Sequence, residues 1–190
     1  MKDKIRKELK EIRKNLSRQE VLEKSNKIKI RLFEIDEFKQ ASTILFYVSY
    51  DNEVYTHDMI KECISDEKNV IVPISDKENR RLILSKLINW VNLEIGSYGI
   101  LEPRKDKIEE FSIDNVDLVI VPGVGFDESG HRIGHGKGYY DDLLKNSTKA
   151  SHIGLAFETQ IVKKIPTEAH DLPVHKIITE KRVIDCRRTR

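Results

Sequence analysis

Cysteine, tryptophan and proline are scarce: two, one and five residues in a chain of 190. Cys63 and Cys186 cannot build a disulfide framework or a cysteine-rich zinc site, and reduced thiols in a cytoplasm are the plain expectation. No stretch approaches the roughly 20 consecutive apolar residues of a bilayer span. The opening MKDKIRKELKEIRK is charged throughout and lacks the apolar centre of a signal peptide. Aromatics make up 7% of the chain and do not alternate with its basic clusters, so a stacking platform for single-stranded nucleic acid is excluded. A net charge of +2 is too small to imply nucleic acid. No HExxH, no Gly-x-Ser-x-Gly and no recognisable catalytic cysteine context occurs.

What is present, 38% hydrophobic and 35% charged residues, fits one soluble domain of ordinary size with a sizeable core. The charge is uneven. Lys2 to Arg18 holds eight basic and three acidic residues, and Glu180 to Arg190 five and two. A solvated face accounts for the tail; the N-terminal cluster can also serve an anion site. Ile5, Leu9, Ile12 and Leu16 recur at helical spacing over residues 2–15. Ser17 and Glu20 form a capping box that starts a second helix carrying Val21, Ile28, Leu32 and Ile35 and ending within residues 33–38. STILFYVS is a continuous apolar run of the kind buried on both faces of a sheet. A helix from residue 56 carries Met59, Ile60, Cys63 and Ile64. NVIVPI, RLILSKLI, DLVIVPG, HIGLAF and KIITE read as further strands, and residues 136–145 as a helix. Alternating strands and helices imply an α/β fold with a mainly parallel sheet, in which ligands sit beyond the carboxyl ends of the strands.

The stretch GHRIGHGKGYYDD, Gly130 to Asp142, follows the strand Asp117–Val121 and holds four glycines among basic residues. It is not a P-loop, because Gly136-Lys137 lacks the upstream glycine and the following Ser/Thr; nor is it Gly-x-Gly-x-x-Gly. Its physics is nonetheless that of an anion cradle: main-chain amides without side chains, leading to a helix N-terminus, with Arg132 and Lys137 adding positive charge. Asp141 can hold a magnesium ion riding on phosphates. His131 and His135 stand four apart, but the glycines between and after them oppose the helix a zinc pair would need; His170 and His175 stand five apart on a loop.

VPGVGFDESGHRIGHGKGYYD, Val121–Asp141, resembles the signature of the 5-formyltetrahydrofolate cyclo-ligase family. The similarity extends to the N-terminal helix, to YDNEVYT and to the late HDLPV and ITE. The resemblance implies a three-layer α/β/α domain over residues 1–190, Rossmann-like and similar to the NagB/RpiA/CoA-transferase-like fold. It implies ATP-dependent closure of 5-formyltetrahydrofolate to 5,10-methenyltetrahydrofolate with release of ADP and phosphate, with ATP as co-substrate and Mg²⁺ as cofactor. Carried over by position, Lys2, Arg6 and the loop Arg132, Ile133, Gly134, His135, Gly136, Lys137, Gly138, Tyr139 and Tyr140 contact ATP. Lys137, Arg132 and Tyr140 carry the catalysis, Val48 and Glu53 bind the folate, and Asp141 and His175 occupy the metal positions. Two positions depart from the family: His135 replaces the usual Tyr or Arg, and His175 an aspartate. Neutral imidazole is a poor magnesium ligand, so water and ATP oxygens can serve in place of His175. The expected setting is a cytoplasmic monomer with small-molecule partners, without nucleic acid or membrane. A diverged ATP-dependent member acting on another formylated or carboxylated substrate, and a non-catalytic module binding through the basic helix, are the alternatives.

Overall fold

The structure, a computed structural model, describes residues 1–168 and 171–188. His170 and the last two residues of the basic tail lie outside the described residues. Helix α1 (Lys2–Lys14) turns Leu9 inward and leaves most of its charged side chains at the surface. The capping box is present: Ser17 Oγ accepts from Glu20 N at 3.2 Å, and the Glu20 carboxylate accepts from Ser17 N at 2.8 Å. It opens α2 (Arg18–Glu34), which extended Ile35 ends. The short α3 (Asp36–Gln40) then stacks Phe38 on Phe33, with ring centroids 4.2 Å apart.

The strands are β1 (Thr43–Leu45), β2 (Asn69–Asp76), β3 (Arg81–Lys86), β4 (Leu93–Ile95), β5 (Leu101–Pro103) and β6 (Leu118–Val121). After them come β7 (Gly125–Asp127), β8 (Arg132–Ile133), β9 (Ser151–Leu155), β10 (Ile161–Val162), β11 (Lys176–Ile178) and β12 (Val183–Asp185). Helix α4 (His57–Ser65) lies between β1 and β2, and α5 (Tyr139–Asn146) between β8 and β9. The main sheet has seven strands in the order β12-β11-β9-β6-β1-β2-β3. From β11 to β2 all neighbours run parallel; the edge strands β12 and β3 are antiparallel. The three-layer, mainly parallel α/β expectation is met.

Alternate residues of the central strands point to opposite faces. Ile44, Val70, Val72, Leu118 and Ile120 meet Val21, Ile28, Leu32, Met59 and Ile60 of α2 and α4 in one cluster. Leu45, Ile71, Val119 and Val121 meet Leu143 and Leu144 of α5 in the other. Both faces being covered explains why these strands read as unbroken apolar runs rather than alternating ones. A third, smaller cluster seats Leu9 of α1 against Val124, Ile133 and Ile165, beside the three-stranded sheet β10-β7-β8.

Two boundaries differ from the sequence reading. The apolar run 42–49 is a strand only over Thr43–Leu45; Phe46 N still donates to Ile71 O at 2.9 Å, and the chain beyond leaves the sheet while staying buried. The helix expected over 136–145 begins at Tyr139, because Gly136 and Gly138 have φ of 98° and 75°, outside the helical range.

His152 on β9 is 6% exposed, with Nε2 2.9 Å from the Ser147 carbonyl oxygen and its ring stacked on His175 at 5.0 Å. Burial first, and the neighbouring His175 second, lower its pKa from 6.5 to about 4. Between those values the unfolded chain takes a proton that the folded chain refuses. This stability is therefore complete above pH ~6.5 and is lost as pH falls toward ~4. Urea denaturation at pH 7.5 and pH 5 is expected to differ by about 2 kcal/mol from this residue alone, and His152→Gln is expected to flatten the profile. A slope unchanged by the substitution contradicts the assignment.

Candidate active site

Three segments meet at the carboxyl edge of β1, β2 and β6 around a cavity of about 460 Å³. The first is the chain after β1. Asp51 turns it through a left-handed conformation (φ 52°), and Asn52 Nδ2 donates to Arg13 O at 3.1 Å and Leu16 O at 2.8 Å, which fastens the turn to the end of α1. Ser49 and Thr56 exchange two bonds, each main-chain N–H donating to the other's hydroxyl at 3.0 Å. Glu53 is held on this frame at 7% exposure: Oε2 accepts from Tyr50 N at 3.2 Å, and Oε1 lies 3.1 Å from His135 Nε2. Val48, 3% exposed, lines the cavity beside it.

The second segment is the glycine-rich loop between β8 and α5. With φ positive at Gly136 and Gly138, the backbone doubles back and α5 starts facing the cavity. Arg6 of α1 crosses to the loop, its Nε donating to Gly134 O at 2.9 Å. Lys137 lays its ammonium 3.0 Å from the centroid of the Tyr98 ring. The third segment is the β4–β5 ribbon that carries Tyr98, itself left-handed at φ 61°. Glu102, 8% exposed, ties this ribbon to β2 by accepting from Ser75 N at 2.9 Å and from Ser97 N at 3.2 Å.

Three of the four Lys and Arg side chains that line the cavity are paired with carboxylates, and Lys137 rests on the Tyr98 ring. Lys2 Nζ lies 2.6 Å from Asp171 and 3.5 Å from Glu168, Arg6 pairs with Asp3, and Arg132 Nη2 lies 2.6 Å from Asp141. The Arg132 side chain is 7% exposed; burial pulls its guanidinium below the ordinary value and Asp141 opposes that pull. Its Nε and the Tyr140 hydroxyl are buried with no hydrogen-bond partner among the described residues. Burial, then the nearby Glu53 charge, raise the Tyr140 phenol, so it stays a neutral donor. Buried donors of this kind are costly to leave unmet, and both line the cavity.

A glycine-rich loop facing a sheltered carboxylate is thus in place, and comparison with known proteins gives the family. The model of the 5-formyltetrahydrofolate cyclo-ligase family matches residues 1–180. This chain belongs to that family. It is 30% identical to the 5-formyltetrahydrofolate cyclo-ligase of Haemophilus influenzae over 177 residues, which are 92% of this chain and 95% of the relative. It is 29% identical to the mouse enzyme of that name over 186 residues, 93% and 92% of the two chains. The solved 5,10-methenyltetrahydrofolate synthetase of Aquifex aeolicus superposes with a TM-score of 0.87 at 34% identity, covering 98% of this chain and 93% of that one. The Mycoplasma pneumoniae synthetase, at 22% identity and TM-score 0.76 over 94% of this chain and 98% of that one, has the same fold.

In this cyclo-ligase chain the cavity brings together Lys2, Arg6, Val48, Glu53, the loop Arg132–Tyr140 and Asp141. It does not include His175, which stacks on His152 and accepts from His152 N through Nδ1 at 2.9 Å. Asp171 and Glu168 stand at the cavity instead. Among the described residues no group of three or more His, Cys, Asp or Glu side chains is placed to hold a metal. An ion here would find Asp141 as its single expected protein ligand, and magnesium, which keeps several waters and binds phosphate oxygens, would accept so few. Tyr98 and Glu102 had no legible signal in the sequence, and Asp171 lay within HDLPV with no role assigned to it. Each comes to the site through a ribbon or loop whose pairing is long-range, as in Lys2 with Asp171 across 169 positions.

Gly136→Val places a β-branched residue at φ 98°, and its Cβ 3.8 Å from the Arg6 guanidinium carbon. The loop is expected to leave its path at a local cost of about 1–3 kcal/mol. Calorimetric titration with a non-hydrolysable ATP analogue is expected to show at least a tenfold loss of affinity, with the two large core clusters intact by circular dichroism. Wild-type affinity contradicts the loop's role.

Proposed function

We propose that the chain converts 5-formyltetrahydrofolate to 5,10-methenyltetrahydrofolate, with ATP cleaved to ADP and phosphate. The observation that carries this is the cavity itself. It joins a main-chain anion cradle to a buried carboxylate, and no cysteine is among the residues that line it. The two buried thiols fit this picture: burial pushes Cys63 up to about 12, so it is inert.

A reaction that moves a phosphoryl group onto its own substrate needs only positioning and charge stabilisation from the protein. The formyl oxygen attacks the γ-phosphorus as the bond to the ADP oxygen breaks. N10 then adds to the activated formyl carbon, loses its proton, and phosphate departs with the former formyl oxygen. The amides of Gly134, Gly136 and Gly138 and the Lys137 ammonium face the triphosphate, and Lys2 and Arg6 hold its far end from α1. Lys137 is within reach once it leaves the Tyr98 face. Arg132, buried and short of one partner, neutralises charge that develops on the transferring group. The Tyr140 hydroxyl donates at the inner end of the cavity, where the formyl oxygen or the pterin carbonyl oxygen arrives. Glu53 accepts from the pterin's amino and ring N–H groups, and Val48 packs against the ring. Asp141 would hold a magnesium ion together with phosphate oxygens and water, and the ion would shield the polyphosphate charge. His175 takes no part in that arrangement. We take residues 1–190 to work as one domain, a cytoplasmic monomer.

Purified protein with Mg-ATP and 5-formyltetrahydrofolate is expected to form the methenyl product, followed by its near-ultraviolet absorbance; absence of product while ATP binds contradicts the substrate. Lys137→Ala is expected to lower kcat about 100-fold. Glu53→Gln is expected to raise the folate KM about tenfold and leave the ATP KM in place. If both KM values move together, Glu53 is not a folate residue.

A further inference from the structure

We infer that His135 is a latch between the two substrate sites: it occupies the folate carboxylate in the resting enzyme and is handed to the nucleotide when folate binds. This rests on the assignment of Glu53 to the pterin. Glu53 has two oxygens and both are taken. Oε2 accepts from the Tyr50 main chain at 3.2 Å, a partner fixed by the frame around Ser49 and Thr56; Oε1 is met by His135 Nε2 at 3.1 Å. Each carboxylate oxygen can accept about two bonds, but a ring presenting an amino group beside a ring N–H needs a clear approach to both oxygens at once. The side chain of His135, 28% exposed and on a loop, is the partner that can leave.

What leaves is attached to the anion cradle. His135 lies between Gly134, whose carbonyl oxygen accepts from Arg6 Nε at 2.9 Å, and Gly136, whose φ of 98° sets the bend of the loop. The loop is therefore held at adjacent residues by a cation from the phosphate side and a carboxylate from the folate side. Releasing the second hold frees an imidazole N–H two positions before Lys137, on the loop that faces the polyphosphate. Folate binding thus adds a donor for the nucleotide, and by linkage the nucleotide strengthens folate binding by the same factor. A residue placed only to keep the loop folded makes a different prediction, since its loss weakens both ligands.

The test is titration calorimetry of wild type, His135→Ala and His135→Gln with 5-formyltetrahydrofolate and with a non-hydrolysable ATP analogue, each alone and with the other saturating. Wild type is expected to bind the analogue about three- to tenfold more tightly when folate is present, the net worth of one ordinary hydrogen bond. His135→Ala is expected to bind folate alone more tightly than wild type by a similar factor, because nothing competes for Glu53, and to lose the synergy. His135→Gln, which keeps an N–H donor, is expected to retain part of both effects. Equal synergy in wild type and His135→Ala overturns the latch, as does wild type without synergy or an alanine variant that binds both ligands more weakly. If wild type turns over folate and Glu53→Gln weakens it, those results remove the latch alone. If Glu53→Gln leaves folate binding unchanged, the pterin assignment falls and the latch with it.

Discussion

Positive φ at Gly136 and Gly138 is the constraint on which the site depends. An L residue with a β-carbon pays for such angles in steric strain, and two in three positions would straighten the loop or let α5 begin a turn earlier. With glycine at both, the chain reverses between β8 and α5, and the α5 N-terminus and the amides before it face the end of the parallel sheet. The position is general to such sheets; the residues that make it a phosphoryl-transfer site belong to this loop.

Around that loop the cations stand paired with carboxylates: Lys2 with Asp171, Arg6 with Asp3, Arg132 with Asp141. A concave site holding several unpaired cations would repel itself, and burial would make it worse. Pairing keeps the resting cavity close to neutral, and an incoming polyphosphate exchanges one set of anions for another. In the proposed reaction Asp141, displaced from Arg132, would be free to hold a magnesium ion. The same economy applies on the folate side, where His135 stands in for a ligand donor on Glu53.

Local signals in the sequence survived into the structure where local physics decides them. The Ser17–Glu20 box, the helix from residue 57 and the buried runs of β2 and β6 rest on neighbours within a few positions, and each formed as read. The start of α5 was placed three residues early: Gly136-Lys137-Gly138 is poor helix sequence, and both glycines adopt left-handed angles, so the helix waits for Tyr139. The run 42–49 looked like one strand because burial persists after the ladder ends. The basic stretch Lys2–Arg18 could not be assigned to solvent or ligand from composition; the crossing of Arg6 to Gly134 brings one of its side chains to the cavity loop. Tyr98 and Glu102 were invisible because nothing near them in sequence marks a site; Asp171 lay within HDLPV, which the resemblance covered without giving that residue a role. His175 was carried over by position from relatives that have aspartate there, and its ring packs on His152 outside the cavity.

The most direct test of the central claim is a crystal structure of the protein with a non-hydrolysable ATP analogue. The γ-phosphate is predicted within hydrogen-bond distance of the amides between Gly134 and Tyr139 and of Lys137 Nζ, with Lys137 moved off the Tyr98 ring. A nucleotide bound elsewhere, with Arg132–Tyr140 unchanged and touching no phosphate oxygen, contradicts the account.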